Sequence, residues 1–72
     1  MADYEEIKQA ILTYLYRHGA TKGISMAWAM DCPEYTGDSV WCTAIDMAKQ
    51  GTIARTTISE YAVFSLREGA IH

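Results

Sequence analysis

Residues 36–66, TGDSVWCTAIDMAKQGTIARTTISEYAVFSL, change their periodicity at a single glycine. Before Gly51, Val40, Ala44, Met47 and Ala48 recur at helical spacing, with Trp41 and Ile45 at the shoulder of that stripe. Thr36 can accept a hydrogen bond from the first turn, and Tyr35 can pack on Val40. The spacing therefore predicts a helix from about Gly37 to Gln50, with Ser39, Cys42, Thr43, Asp46 and Gln50 facing outward. After Gly51 the chain turns β-branched in Thr52–Ile58, and Tyr61–Leu66 alternates. Ser59-Glu60 separates the two runs, so they read as a β-hairpin. Ile53, Phe64 and Leu66 supply its buried face, while Arg55, Thr57 and Tyr61 lie towards the tip or outer face.

Towards the N-terminus, Asp3 to Gly19 reads as a first helix. Asp3 is its cap, with Glu6 placed as in a capping box, and Ile7, Ile11, Tyr14 and Leu15 form a stripe widened by Tyr4 and Leu12. His18 suits the negative end of the helix dipole and Gly19 a left-handed closing residue. Thr21 to Ser25 reads as a short extended piece centred on Ile24. Ser25 then caps a short helix, Met26 to about Asp31, which Pro33 ends. Cys32 to Asp38 is expected to be a polar turn, and Arg67 to His72 a frayed tail.

The chain has 72 residues, half of them apolar, with a net charge of −3. That predicts one domain over residues 1–72, with a small core and marginal stability. The apolar stretches fall far short of the roughly 18 residues a membrane span needs, and no signal segment opens the chain. The net charge excludes a generally basic nucleic-acid coat but leaves room for a local basic patch. Cys32 and Cys42 are too few for a disulfide framework, so they read as free thiols in a reducing cytoplasm.

Enzymatic chemistry finds little to stand on. Cys32, Cys42, His18 and His72 show neither C-x-x-C nor H-x-x-x-H spacing, so no metal is expected. Asp31 and Glu34 read as solvated turn carboxylates. The glycines mark element boundaries rather than a phosphate loop, so no cofactor is expected either.

The order of elements is helix, short strand, short helix, turn, helix and hairpin. Ile24-Ser25 precedes the second helix, Trp28-Ala29 pairs a large apolar residue with alanine, and Val40, Ala44 and Met47 lead into Gly51-Thr52-Ile53. Over residues 3–67 this order resembles the winged helix-turn-helix family of prokaryotic regulators, including its very small fimbrial-operon members. The resemblance implies an α+β fold: three helices and a small antiparallel sheet with a C-terminal hairpin wing. It also implies binding of duplex DNA by the third helix and the wing. The chain departs from the family where Pro33 takes the place of a common turn glycine, and where Glu34 and Asp38 lengthen the turn.

Two functional readings follow. In the first, a small phage-, plasmid- or operon-type transcriptional regulator binds double-stranded DNA. Ser39, Thr43 and Gln50 meet bases or phosphates, and Lys22, Lys49 and Arg55, with Arg17 or Arg67, touch the backbone. About three to five phosphate contacts make weak monomer binding, so dimerisation or a partner protein is needed. A homodimer through helix 1 and the tail would use Tyr16 and Ile71. In the second reading the chain is a protein-interaction module that modulates a host complex. Glu34, Asp38 and Asp46 then surround Trp41 and meet a basic or apolar partner surface. Trp41 itself reads either as half exposed or as filling the gap under the turn beside Trp28.

Overall fold

The structure, a computed structural model, describes residues 3–67. The elements are α1 (Tyr4–His18), β1 (Thr21–Lys22), α2 (Gly23–Met30), α3 (Gly37–Gln50), β2 (Ile53–Ile58) and β3 (Tyr61–Leu66). The expected tail beyond Arg67 lies outside the described residues.

Helix α1 starts where its cap predicts: the Asp3 carboxylate accepts the Glu6 amide at 2.9 Å. At its other end the Gly19 amide donates to the Leu15 carbonyl at 2.8 Å. Gly19 has φ 75° but ψ −159°, so it sits outside the left-handed helical well that its sequence position suggests. The extended ψ sends the chain directly into β1. Ile7, Ile11 and Leu15 are buried, whereas Tyr4 at the edge of the stripe is exposed.

The second helix departs furthest from expectation. It begins at Gly23 rather than Met26, Ile24 is helical rather than extended, and Ser25 does not cap it; Lys22 holds the cap position with no side-chain hydrogen bond. Tertiary packing supplies the reason. A Cβ on Gly23 would stand 2.5 Å from Phe64 Cε2 and closer still to Trp41 Cζ3, so only glycine lets the backbone turn into a helix against those rings. After Met30 the chain makes a tight turn in which Cys32 and Tyr35 exchange two backbone hydrogen bonds around Pro33-Glu34, at 3.0 and 3.2 Å. The polar turn therefore ends at Thr36, two residues earlier than the sequence suggests, because Asp38 already belongs to α3.

Helix α3 and the hairpin follow the sequence closely. Thr36 accepts from the Ser39 amide at 3.2 Å. At the C-terminus the Gly51 amide donates to the Ala48 carbonyl and the Thr52 amide to the Met47 carbonyl, with Gly51 left-handed at φ 82°. The sheet order is β1-β3-β2, all antiparallel, so β3 is central and β2–β3 forms the wing. Register places Thr21 and Arg55 opposite Phe64, on the face turned to the helices, and Lys22 and Thr56 opposite Val63, on the other face.

One cluster joins these elements: Ile7, Ile11 and Leu15 of α1, Met26 of α2, Val40, Ala44 and Met47 of α3, and Ile53 and Phe64 of the sheet. Each large member contributes about 1.5–3 kcal/mol by leaving water. The architecture is α+β, three helices and a three-stranded antiparallel sheet ending in a hairpin, which is the layout of a winged helix. Among the described residues, no helix is long and apolar enough to cross a membrane.

Candidate functional site

The six residues proposed to contact DNA do not converge on one surface. Thr43 is 7% exposed on the inner side of α3, so neither its hydroxyl nor its methyl faces outward as expected. The expected stripe omitted it because a threonine among Val40, Ala44 and Met47 reads as polar, yet its small methyl-bearing side chain packs beneath the helix. The Thr36 hydroxyl donates to Ser39 Oγ at 3.2 Å, which holds Ser39 within the helix cap. The Gln50 amide donates to Asp46 Oδ2 at 2.9 Å. Lys22 and Arg55 stand on opposite faces of the sheet and on its two outer strands, so no basic stripe crosses from one to the other. The Lys22 ammonium lies 4.4 Å from the centre of the Tyr61 ring, a cation–π contact on the outer face. Arg67 donates to the Gly51 carbonyl at 2.9 Å. Lys49 and Arg55 remain exposed, at the last turn of α3 and on the wing.

The acidic and aromatic set divides as well. Asp46 accepts the Tyr4 hydroxyl at 2.7 Å, tying α3 to α1. That hydrogen bond, followed by slight burial, raises the Tyr4 phenol above its usual 10.0. Glu34 interacts with Cys32 inside its own turn, and a hydrogen bond from that thiol holds its carboxyl below the usual range. Burial pushes the Tyr35 phenol in the same turn upward. Asp38 and Trp41 are the two that share a site.

That site is an open groove of about 600 Å³ between α2 and the first turns of α3. Ile24, Ala27 and Trp28 form its α2 side, Asp38 and Trp41 its α3 side, and Asp31 closes one end. Trp28 is 84% exposed and Ile24 63% exposed, one helical turn apart on the same face. Trp41 is half-buried and meets Phe64 edge-on, so its indole is held by the core while still lining the groove. One Asp31 carboxylate oxygen accepts the Gly37 amide at 2.8 Å, which fixes its position at the rim.

Reading the sequence alone missed Ile24 and Trp28 as surface residues, and it left Asp31 as a solvated turn carboxylate rather than part of a groove. GISMAWAM is apolar on every side, and such a helix reads as buried all round. The available signal was the i, i+4 spacing of Ile24 and Trp28, which becomes visible once the helix is started at Gly23.

Other features are simpler. Tyr16 is exposed on α1, and Ile71 lies outside the described residues. Tyr14 and His18 stack at 4.3 Å between ring centres beside Arg17 in a smaller hollow. Cys32 is a half-buried free thiol and Cys42 an exposed one. Among the described residues, no three His, Cys, Asp or Glu side chains are grouped to hold a metal ion. Compared with family models, curated proteins and solved structures, the chain matches none.

Proposed function

We propose that this chain is a winged-helix protein-interaction module, not an enzyme, that modulates a larger cytoplasmic complex of the kind phage and plasmid accessory proteins address. It docks its partner in the α2–α3 groove rather than on the surface between α3 and the wing. The observation that carries this reading is the exposure of Trp28 beside Ile24 at a groove that Trp41 also lines. A tryptophan and an isoleucine left in water on one helix face cost the folded chain solubility, and such patches mark interaction surfaces. The free thiols accord with a reducing compartment.

A second reading, binding of duplex DNA, draws on the exposed Arg55 of the wing and Lys49 of α3. Its weakness is electrostatic. The first turn of α3, the end that enters a major groove in helix-turn-helix proteins, carries Asp38 and no base.

Affinity capture and mobility shifts on the same three proteins separate the readings. The first expects a stoichiometric protein partner that Trp28→Ala loses and Arg55→Ala keeps. Salt-dependent retardation of DNA that Arg55→Ala loses and Trp28→Ala keeps would establish the second instead.

A further inference from the structure

We infer that the α2–α3 groove recognises an arginine side chain carried by an apolar segment of the partner. The inference rests on the interaction-module reading and names the chemistry of its partner. Two indoles, Trp28 and Trp41, and two carboxylates, Asp31 and Asp38, line the same groove. Among the described residues, no lysine or arginine lines it, and neither carboxylate takes part in an ion pair. Electron-rich indole faces and unneutralised carboxylates together favour a cation. A planar guanidinium fits better than an ammonium, because it stacks on an indole and offers paired donors to a carboxylate.

The groove also has an apolar side. Ile24 and Ala27 lie along α2 next to Trp28, and a 600 Å³ opening exceeds the volume of one guanidinium. An apolar residue beside the arginine would cover the exposed Ile24. Asp31 is already positioned by the Gly37 amide, so one of its oxygens is spoken for and the other can face the ligand. The chain's own net charge of −3 favours a basic partner in general, but the groove localises the attraction.

The test is calorimetric titration of the full chain with a short capped peptide of alternating arginine and leucine. Two control peptides replace arginine by citrulline, its neutral isostere, or by lysine. Saturable binding is expected with the arginine peptide, weaker by about tenfold or more with citrulline, and intermediate with lysine. Asp31→Asn and Asp38→Asn should each weaken it by about two- to fivefold, more at low salt than at high. Trp28→Ala should abolish it, and since Trp28 is a surface residue this variant keeps its fold.

Equal affinity for the arginine and citrulline peptides would overturn the inference, leaving a groove that selects only apolar surface. A concentration-dependent dimer that Trp28→Ala dissociates would also overturn it, by placing a second copy in the groove. If partner capture depends on Trp28 while the Asp31 and Asp38 variants capture normally, the docking surface stands and the arginine chemistry fails. Capture indifferent to Trp28 removes both.

Discussion

The Trp41 ring stands edge-on to Phe64, with centroids 5.9 Å apart and planes at 79°, and Gly23 lies against both rings. This contact joins the start of α2, the first turns of α3 and the central strand of the sheet. It also sets one wall of the groove, because the indole that packs on Phe64 is the one that lines the opening.

Gly23→Ala should therefore destabilise the fold. Alanine gains about 1 kcal/mol of helix propensity over glycine. Against that, the new methyl group would overlap the fully buried Phe64 ring and the half-buried Trp41 indole, so at least one ring has to shift out of its packed position. Overpacking of this kind costs about 1–3 kcal/mol, so the net sign is a loss. Urea denaturation of the two proteins measures it; a higher midpoint for the variant would show that the rings move aside.

Trp28→Ala should leave stability within about 0.5 kcal/mol of the parent, because the side chain is 84% exposed. Phe64→Ala, at 0% exposure, should cost about 3–5 kcal/mol. Denaturant midpoints of the two variants report the contrast. A large loss at Trp28 would make it a structural residue and take away the principal support for the proposed docking surface.

The tip of the wing stores strain. Ser59 and Glu60 have φ of 50° and 72°, values that suit asparagine and glycine in a two-residue hairpin turn. Replacing the pair by Asn-Gly should raise stability by about 1 kcal/mol, readable as an upward shift of the thermal midpoint. Since the tip does not line the groove, peptide binding should be unchanged.

The Tyr4–Asp46 link has a definite pH signature. The hydrogen bond to Asp46 raises the Tyr4 phenol above 10.0, so the folded state holds this proton more tightly than the unfolded chain does. Its contribution is complete below pH 10.0 and is lost as pH rises through the folded value. Tyr4 is partly exposed, so the pair is worth about 0.5–1 kcal/mol. The stability gap between the parent and Tyr4→Phe should close at alkaline pH; a gap that stays constant there would exclude the link.

Several parts of the molecule were legible before folding was considered. Asp3, Thr36 and Gly51 mark helix ends through hydrogen bonds made within a few residues, and the change from helical to alternating spacing after Gly51 identifies the hairpin. These are local effects: the donor, the acceptor and the conformational preference all lie in the same short stretch. The order of elements then restricts the topology, because β1 and the hairpin have to share one sheet to bury Ile53 and Phe64.

The proposed docking surface was not legible in that way. Helix α2 starts at Gly23 because rings from α3 and β3 leave space only for a glycine, and those rings are about 20 and 40 residues away along the chain. That start turns Ile24 and Trp28 to solvent and brings Asp31 beside Asp38 and Trp41. Likewise, Lys22 and Arg55 are separated by strand register, and Thr43 is hidden by the seating of α3. Apart from the start of α2, local chemistry determined which segments became helix and strand. Which faces met water was decided by how those segments packed, since burial depends on neighbours that no short stretch of sequence contains.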